Sequence, residues 1–180
     1  VKAAMVTKFG PPETLQLKEV PKPSPRENQV LIAVKVIGLN FADVLARLGV
    51  YPSVPDPPFV PGLEVSGTVK EIGEGVKSFK KGDRVFAFTR QGAYAEYMCV
   101  NENHVQHVPK RMNFEEAAAI GVTYLTAYHG LITLANIRKG ERLLLHAAAG
   151  GVGTATTQIA KHLGGEVFGT ASSSETLDVA

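Results

Sequence analysis

Before Pro109, short runs rich in Val and Ile alternate imperfectly between apolar and polar positions and are cut by Gly and Pro. A period of two with branched side chains predicts half-buried strands. They fall at residues 2–6, 15–20, 29–37, 65–72, 84–88, 94–100 and 104–107. Gly73–Gly75 and Lys80–Gly82–Asp83 read as turns between them. One helix interrupts, from Asn40 or Phe41 to about Leu48, and stops at Gly49. Pro52, Pro55, Pro57, Pro58 and Pro61 then enforce an extended loop, because each fixes its own φ and disfavours a helical residue before it. The pattern predicts a compact, mostly antiparallel, barrel-like domain.

After Pro109 the period changes. Asn113 is placed to cap a helix over 114–120, with Glu115 and Glu116 in its first turn. Residues 124–134 predict a second, largely apolar helix. A strand over 142–147 follows Gly140, then a Gly-rich turn, a helix over about 152–163 and a strand over 166–170. In that last helix Val152, Ala155, Ile159 and Leu163 share one face by spacing. Strand, turn, helix, strand is a βαβ unit, which implies a parallel sheet. The expected fold is therefore a mainly β domain over 1–118, followed by an α/β part over 119–180.

Composition narrows this little. The 180 residues are 44% hydrophobic and 20% charged, with a formal net charge of +2, ordinary values for a globular chain with a real core. The sequence pI near 8.7 and the single basic run at Lys77, Lys80 and Lys81 give no reason to expect a nucleic-acid partner. One cysteine, Cys99, excludes an internal disulfide. Neither a signal-like start nor a run long enough to span a membrane appears, so a soluble, cytoplasmic location is expected.

The strongest chemical signal is Ala147-Ala148-Ala149-Gly150-Gly151-Val152-Gly153. Against the dinucleotide fingerprint, Ala148, Gly150 and Gly153 take the three glycine positions. Gly150 would let the backbone approach a pyrophosphate, and Gly153 would let helix and strand pack closely. The helix start would offer free N–H groups and partial positive charge. Ala148 departs from the first glycine, and a tight turn with no ligand stays an alternative. The following strand ends in Thr170-Ala171-Ser172-Ser173-Ser174, with no carboxylate before Glu175. An acid there favours NAD(H) by holding the ribose hydroxyls; hydroxyls without one suit a 2′-phosphate, and NADP(H) is expected. A plain polar loop is the alternative.

With both regions placed, the chain resembles the medium-chain dehydrogenase/reductase superfamily, and within it the quinone oxidoreductase branch that includes zeta-crystallin-like and vesicle-amine-transport-protein-like members. The resemblance rests on Gly38-Leu39-Asn40-Phe41-Ala42-Asp43, Pro61-Gly62-Leu63-Glu64-Val65-Ser66-Gly67, Val76 through Gly82-Asp83-Arg84-Val85, Gly92-Ala93-Tyr94-Ala95-Glu96-Tyr97, and the Gly-rich turn. It implies a GroES-like catalytic domain followed by a Rossmann domain, and a homodimer or homotetramer. Zinc-dependent relatives carry Cys where Asn40 stands and His where Leu63 stands; Asn and Leu supply neither thiolate nor imidazole. The histidines (His104, His107, His129, His146, His162) lack a tight ligand spacing, so no metal site is expected.

The resemblance further implies that Asn40 is the active-site asparagine, that Tyr51 lines the substrate pocket, and that Thr126 lies close to the nicotinamide. It implies a cofactor held by Ala149, Gly150, Gly151, Val152, Gly153, Ser172 and Ser173. By chemistry alone, Asn40 is equally a helix N-cap, Tyr51 a loop tyrosine beside Pro52, and Thr126 a residue of an apolar helix. A tyrosine that some quinone reductases carry on the helix after the asparagine is replaced here by Leu45 or a neighbour. Arg47 is expected in solvent and Glu64 in a local pairing. The implied reaction is hydride transfer from NADPH to a quinone or enone, without zinc. Tyr51 or water is the proton donor. An enoyl-thioester reductase, or a non-enzymatic vesicle- or RNA-associated relative, is the alternative. Because such a Rossmann sheet needs two halves, the sequence also predicts a fragment that is a poor enzyme by itself.

Overall fold

The computed structural model describes residues 1–52 and 54–177. The chain divides into two compact units, Val1–Gly121 and Val122–Ala180.

The first unit is built on a five-stranded antiparallel sheet. Its strands are β3 (Gln29–Gly38), β4 (Glu64–Ile72), β5 (Arg84–Phe88), β6 (Tyr97–Asn101) and β7 (Val105–His107), in the order β6-β3-β4-β5-β7. Alternate residues point into one core: Val30 and Ile32 from β3, Val65 and Val69 from β4, Val85 and Ala87 from β5, Met98 and Val100 from β6. Each large aliphatic side chain buried there contributes about 1.5–3 kcal/mol, which selects the register. Two irregularities in the β3–β4 register, at Leu31/Ile32 and Val34/Val36, bend the sheet. A separate antiparallel pair, β1 (Lys2–Val6) and β2 (Leu15–Glu19), bridges through Ala3 to Ala95 and through Val6 to Phe59.

The predicted strand at 94–100 begins later, at Tyr97. Residues 94–96 bond partly to β1: Ala4 N–H donates to the Tyr94 carbonyl at 2.8 Å and Glu96 N–H to the Lys2 carbonyl at 3.0 Å, while the Glu96 carbonyl accepts from Val34 N–H of β3 at 2.9 Å. His104 leaves the last strand for a short 3₁₀ turn, Glu102–His104, where the Asn101 side chain accepts from Asn103 N–H. Helix α1 (Phe41–Leu48) ends as expected at Gly49, whose φ of +76° is a left-handed stop that glycine adopts without strain. Helix α2 (Phe114–Ala118) is shorter than predicted. Its start is a reciprocal cap between Asn113 and Glu116, and the Ala119 N–H closes the last turn on the Glu116 carbonyl.

In the second unit, α3 (Gly121–Tyr128) starts earlier than predicted. It passes into a π-helical stretch, His129–Leu134, rather than running on as one α-helix. The Ala135 N–H reaches back five residues to the Gly130 carbonyl, and glycine there weakens the regular helix. Strands β8 (Arg142–Leu145) and β9 (Glu166–Gly169) pair in parallel, with α4 (Gly151–His162) as the crossover. The βαβ unit is thus present. The inner face of α4 differs from the one read by hydrophobicity: Gly153, Thr156, Thr157 and Ala160 are buried, along with Ala155, while Val152 is exposed. Small residues at that spacing let the helix lie close to the strands. On β8 and β9, Leu144 and Phe168 are register partners and stand 64% and 49% exposed. A four-residue helix, α5 (Ser174–Leu177), follows β9.

Candidate cofactor groove and substrate-side residues

The Gly-rich turn takes its shape from Ala147. Strand β8 ends at Leu145, short of the predicted 147, because Ala147 adopts a left-handed φ of +52°. The turn closes when Gly150 N–H donates to the Ala147 carbonyl at 2.9 Å. Gly153 then seats the helix on the turn. A Cβ there would stand 2.4 Å from the Ala147 carbonyl oxygen and 2.5 Å from that of Ala148, so only glycine permits this approach. Gly150 is the N-cap, with no side-chain cap bond. The first-turn N–H groups of Gly151, Val152 and Gly153 therefore have no acceptor within the helix, and the helix dipole adds partial positive charge beside them. The α4 start has the donors a diphosphate needs, and its N-cap makes no side-chain bond to them.

A groove runs from this turn to the end of β9. Ala147, Ala149, Gly150, Thr170, Ala171 and Ser172 line it, with Thr176 beyond. The parallel pairing extends into the groove walls: Ala148 N–H donates to the Thr170 carbonyl at 3.0 Å and Thr170 N–H to the Leu145 carbonyl at 2.9 Å. The structure therefore brings Ala149, Gly150 and Ser172 together. Ser173 is drawn elsewhere. Its hydroxyl lies 3.1 Å from Thr176 Oγ1, and its carbonyl accepts from that hydroxyl at 2.8 Å, a cap for α5. Thr126 is exposed on α3, and its hydroxyl donates back to the Val122 carbonyl at 2.7 Å.

Ala147, Thr170 and Ala171 stand in the two segments singled out from the sequence without being named as contacts, and sequence reasoning missed Thr176. The available signal was position: ligands on open parallel sheets sit at the carboxyl ends of the strands. It also missed that the His146 ring Nδ1 lies 3.0 Å from Thr170 Oγ1.

In the first unit, Asn40 stands at the N-cap of α1 with extended backbone, φ −120° and ψ 151°. Its backbone N–H donates to Asp43 Oδ2 at 2.9 Å. Asn40 and Asp43 form a capping box at this helix start, and Asn40 Nδ2 donates to Glu64 Oε1 at 2.8 Å. Both acids are buried, Glu64 to 2% exposure and Asp43 to 6%. The local pairing expected of Glu64 is therefore with Asn40. The Tyr94 hydroxyl donates to Asp43 Oδ2 at 3.0 Å. Burial pushes the Asp43 carboxyl above its ordinary range, against hydrogen bonds from Asn40, Tyr94 and Gly62 that pull it down. Burial, and then the Asp43 charge beside it, raises the Tyr94 phenol. Arg47 is not free in solvent: it is half-buried and its guanidinium donates to the Gly10 carbonyl. Tyr51 sits 38% exposed on the loop after α1 and makes no hydrogen bond to Asn40 among the described residues.

Comparison with known proteins follows the same division. Residues 26–110 match the alcohol dehydrogenase GroES-like domain. A quinone oxidoreductase of Lama guanicoe is 45% identical over 177 residues, 97% of this chain and 54% of that protein. The human synaptic vesicle membrane protein VAT-1 homolog-like protein superposes with a TM-score of 0.95 at 39% identity, covering 99% of this chain and 58% of its own. Escherichia coli quinone oxidoreductase, solved in complex with NADPH, superposes with a TM-score of 0.92 at 36% identity, covering 99% of this chain and 55% of its own. The chain spans about half the length of the relatives it matches. No helix among the described residues is long and apolar enough to cross a membrane. By sequence and by fold, nearly the whole chain is similar to quinone oxidoreductases of the medium-chain dehydrogenase/reductase superfamily, and residues 26–110 match the GroES-like domain.

Proposed function

We propose that this chain serves an NADPH-dependent oxidoreductase that reduces a quinone or enone without zinc. The observation that carries the reading is the uncapped start of α4, opening on a groove whose lining, among the described residues, includes no carboxylate. Bound NADPH would supply the hydride; the protein binds and orients it. Backbone amides of Gly151, Val152 and Gly153 hold the diphosphate, with Ala149 and Gly150 allowing its approach. Ser172 and Thr170 face the 2′-phosphate end, where a carboxylate would repel it. Ser173 contributes through the α5 cap that shapes this wall, and Thr126 lies toward the nicotinamide.

On the substrate side, Asn40 donates to the acceptor's carbonyl oxygen, which polarises the carbonyl without a metal. Tyr51 is the proton donor from the loop. The absence of zinc rests on donor chemistry: the amide of Asn40 is held by Glu64 and Leu63 has no ligating atom. The same reading makes the protein a cytoplasmic homodimer or homotetramer, which sedimentation velocity and cell fractionation check.

The test is turnover with NADPH on a small p-quinone and on an enoyl thioester, with and without a chelator. Chelator-insensitive quinone reduction supports the reading. Turnover confined to the thioester reassigns the substrate, and stoichiometric zinc in the active protein overturns the metal-free mechanism. No NADPH binding at all favours a non-enzymatic role.

A further inference from the structure

Two buried carboxylates grip one residue. Asp43 takes the backbone N–H of Asn40 and Glu64 takes its side-chain Nδ2, at 2.9 and 2.8 Å. Glu64 opens β4 opposite Gly38, and the fold makes room for its side chain at both neighbouring glycines. A Cβ on Gly38 would stand 2.4 Å from Glu64 Oε1, and one on Gly121 would stand 3.0 Å from Oε2. Glu64 Oε1 accepts from Asn40 Nδ2, so the N–H end of the Asn40 amide is the one turned toward it. The other N–H of Nδ2 and the Oδ1 atom are then held in one orientation. A carboxylate on one N–H also polarises the amide, which strengthens the donor that remains.

We propose that Glu64 is a positioning residue. It sets the rotation of the Asn40 amide and sharpens the N–H that Asn40 presents to the acceptor's carbonyl. The proposal rests on the reading of Asn40 as the group that polarises that carbonyl.

The test is a double-substitution cycle in the NADPH-loaded protein with a small p-quinone. Glu64→Gln keeps the size but pairs with Asn40 in either sense, so orientation is lost. We expect kcat to fall about tenfold to a hundredfold, the usual range for outer-shell partners, with KM within about twofold. Asn40→Ala is expected to lose a similar factor, and the double variant no more than either single one. A product of the two losses in the double variant, or an unchanged kcat in Glu64→Gln, overturns the proposal. An unchanged kcat in Asn40→Ala overturns the reading of Asn40 first, and this proposal with it. A spectroscopic arm separates orientation from general damage. The Asn40 side-chain amide resonance should move in Glu64→Gln while the backbone spectrum stays that of the parent, and a resonance that stays in place contradicts the proposal. If Glu64→Gln fails to fold, Glu64→Asp, which withdraws the carboxyl group by one methylene, is read against the same outcomes.

Discussion

Gly153→Ala is the sharpest perturbation of the turn. The added Cβ would meet Ala147 O at 2.4 Å, Ala148 O at 2.5 Å and the Ala148 carbonyl carbon at 2.7 Å. All three are backbone atoms and cannot rotate aside. Ordinary contact begins at 3.4 Å, so helix and turn must part by 3.4 minus 2.4, about 1 Å. A shift of about 1 Å takes an N–H···O contact from about 2.9 Å to about 3.9 Å, where it no longer counts as a hydrogen bond. Hydrogen bonds to a charged group are worth about 1.5–3 kcal/mol each. Losing two costs about 3–6 kcal/mol, and about 1.4 kcal/mol is tenfold. The NADPH dissociation constant should rise at least about a hundredfold, and overpacking should cost about 1–3 kcal/mol of stability. Isothermal titration and thermal unfolding read the two effects. Gly151→Ala and Gly150→Ala are the controls for stability. The first meets only the Thr123 side chain, at 3.0 Å, and the second only Ala147 O, at 3.3 Å. A Gly153→Ala protein that binds NADPH within twofold of the parent and melts at the same temperature would refute the close seating of α4.

Three further outcomes follow from particular contacts. Asp43 has a raised folded-state pKa, so the native state holds its proton more tightly than the unfolded chain. Its contribution to stability therefore falls as pH rises from about 4 through the raised value; the urea midpoint of the parent minus that of Asp43→Asn should decline over that window, and a flat difference contradicts the assignment. Ser172→Ala should weaken NADPH more than NADH, whereas Ser173→Ala should mainly cost the α5 cap, about 1 kcal/mol locally, read by hydrogen exchange at Thr176. Among the described residues the buried Thr157 hydroxyl on α4 has no hydrogen-bond partner, so Thr157→Val should be neutral or raise the melting temperature; a loss of several degrees would show that the hydroxyl is satisfied.

The strands of the first unit were legible because Val30, Ile32, Val65, Val69 and Val85 alternate, and burial obeys that period. Helix α1 was legible from its ends, Asn40 and Gly49. The partner switch at Ala95 was not, because it depends on β1, about ninety residues earlier in the chain. The inner face of α4 was misread because hydrophobicity favoured Val152 and Ile159, while close approach to the strands selected Gly153, Thr156 and Ala160. The Gly-rich turn could be located from Gly150 and Gly153. The left-handed residue is Ala147, a conformation that costs most side chains energy and that no local pattern announces. Of the grip on Asn40, the Asp43 half lies within reach of sequence, since an acid three residues past an N-cap is capping-box spacing. The Glu64 half needs the pairing of Gly38 with Glu64 across two strands.

The central claim is that the first-turn amides of α4 hold a diphosphate, and nuclear magnetic resonance of the ¹⁵N-labelled protein addresses it directly. Titration with NADPH should move the amide resonances of Gly151, Val152 and Gly153 more than any in the first turn of α1, saturably, and pyrophosphate alone should move the same set more weakly. If NADPH binds while those amides stay unperturbed, or binds nowhere in the protein, the account of the groove is contradicted.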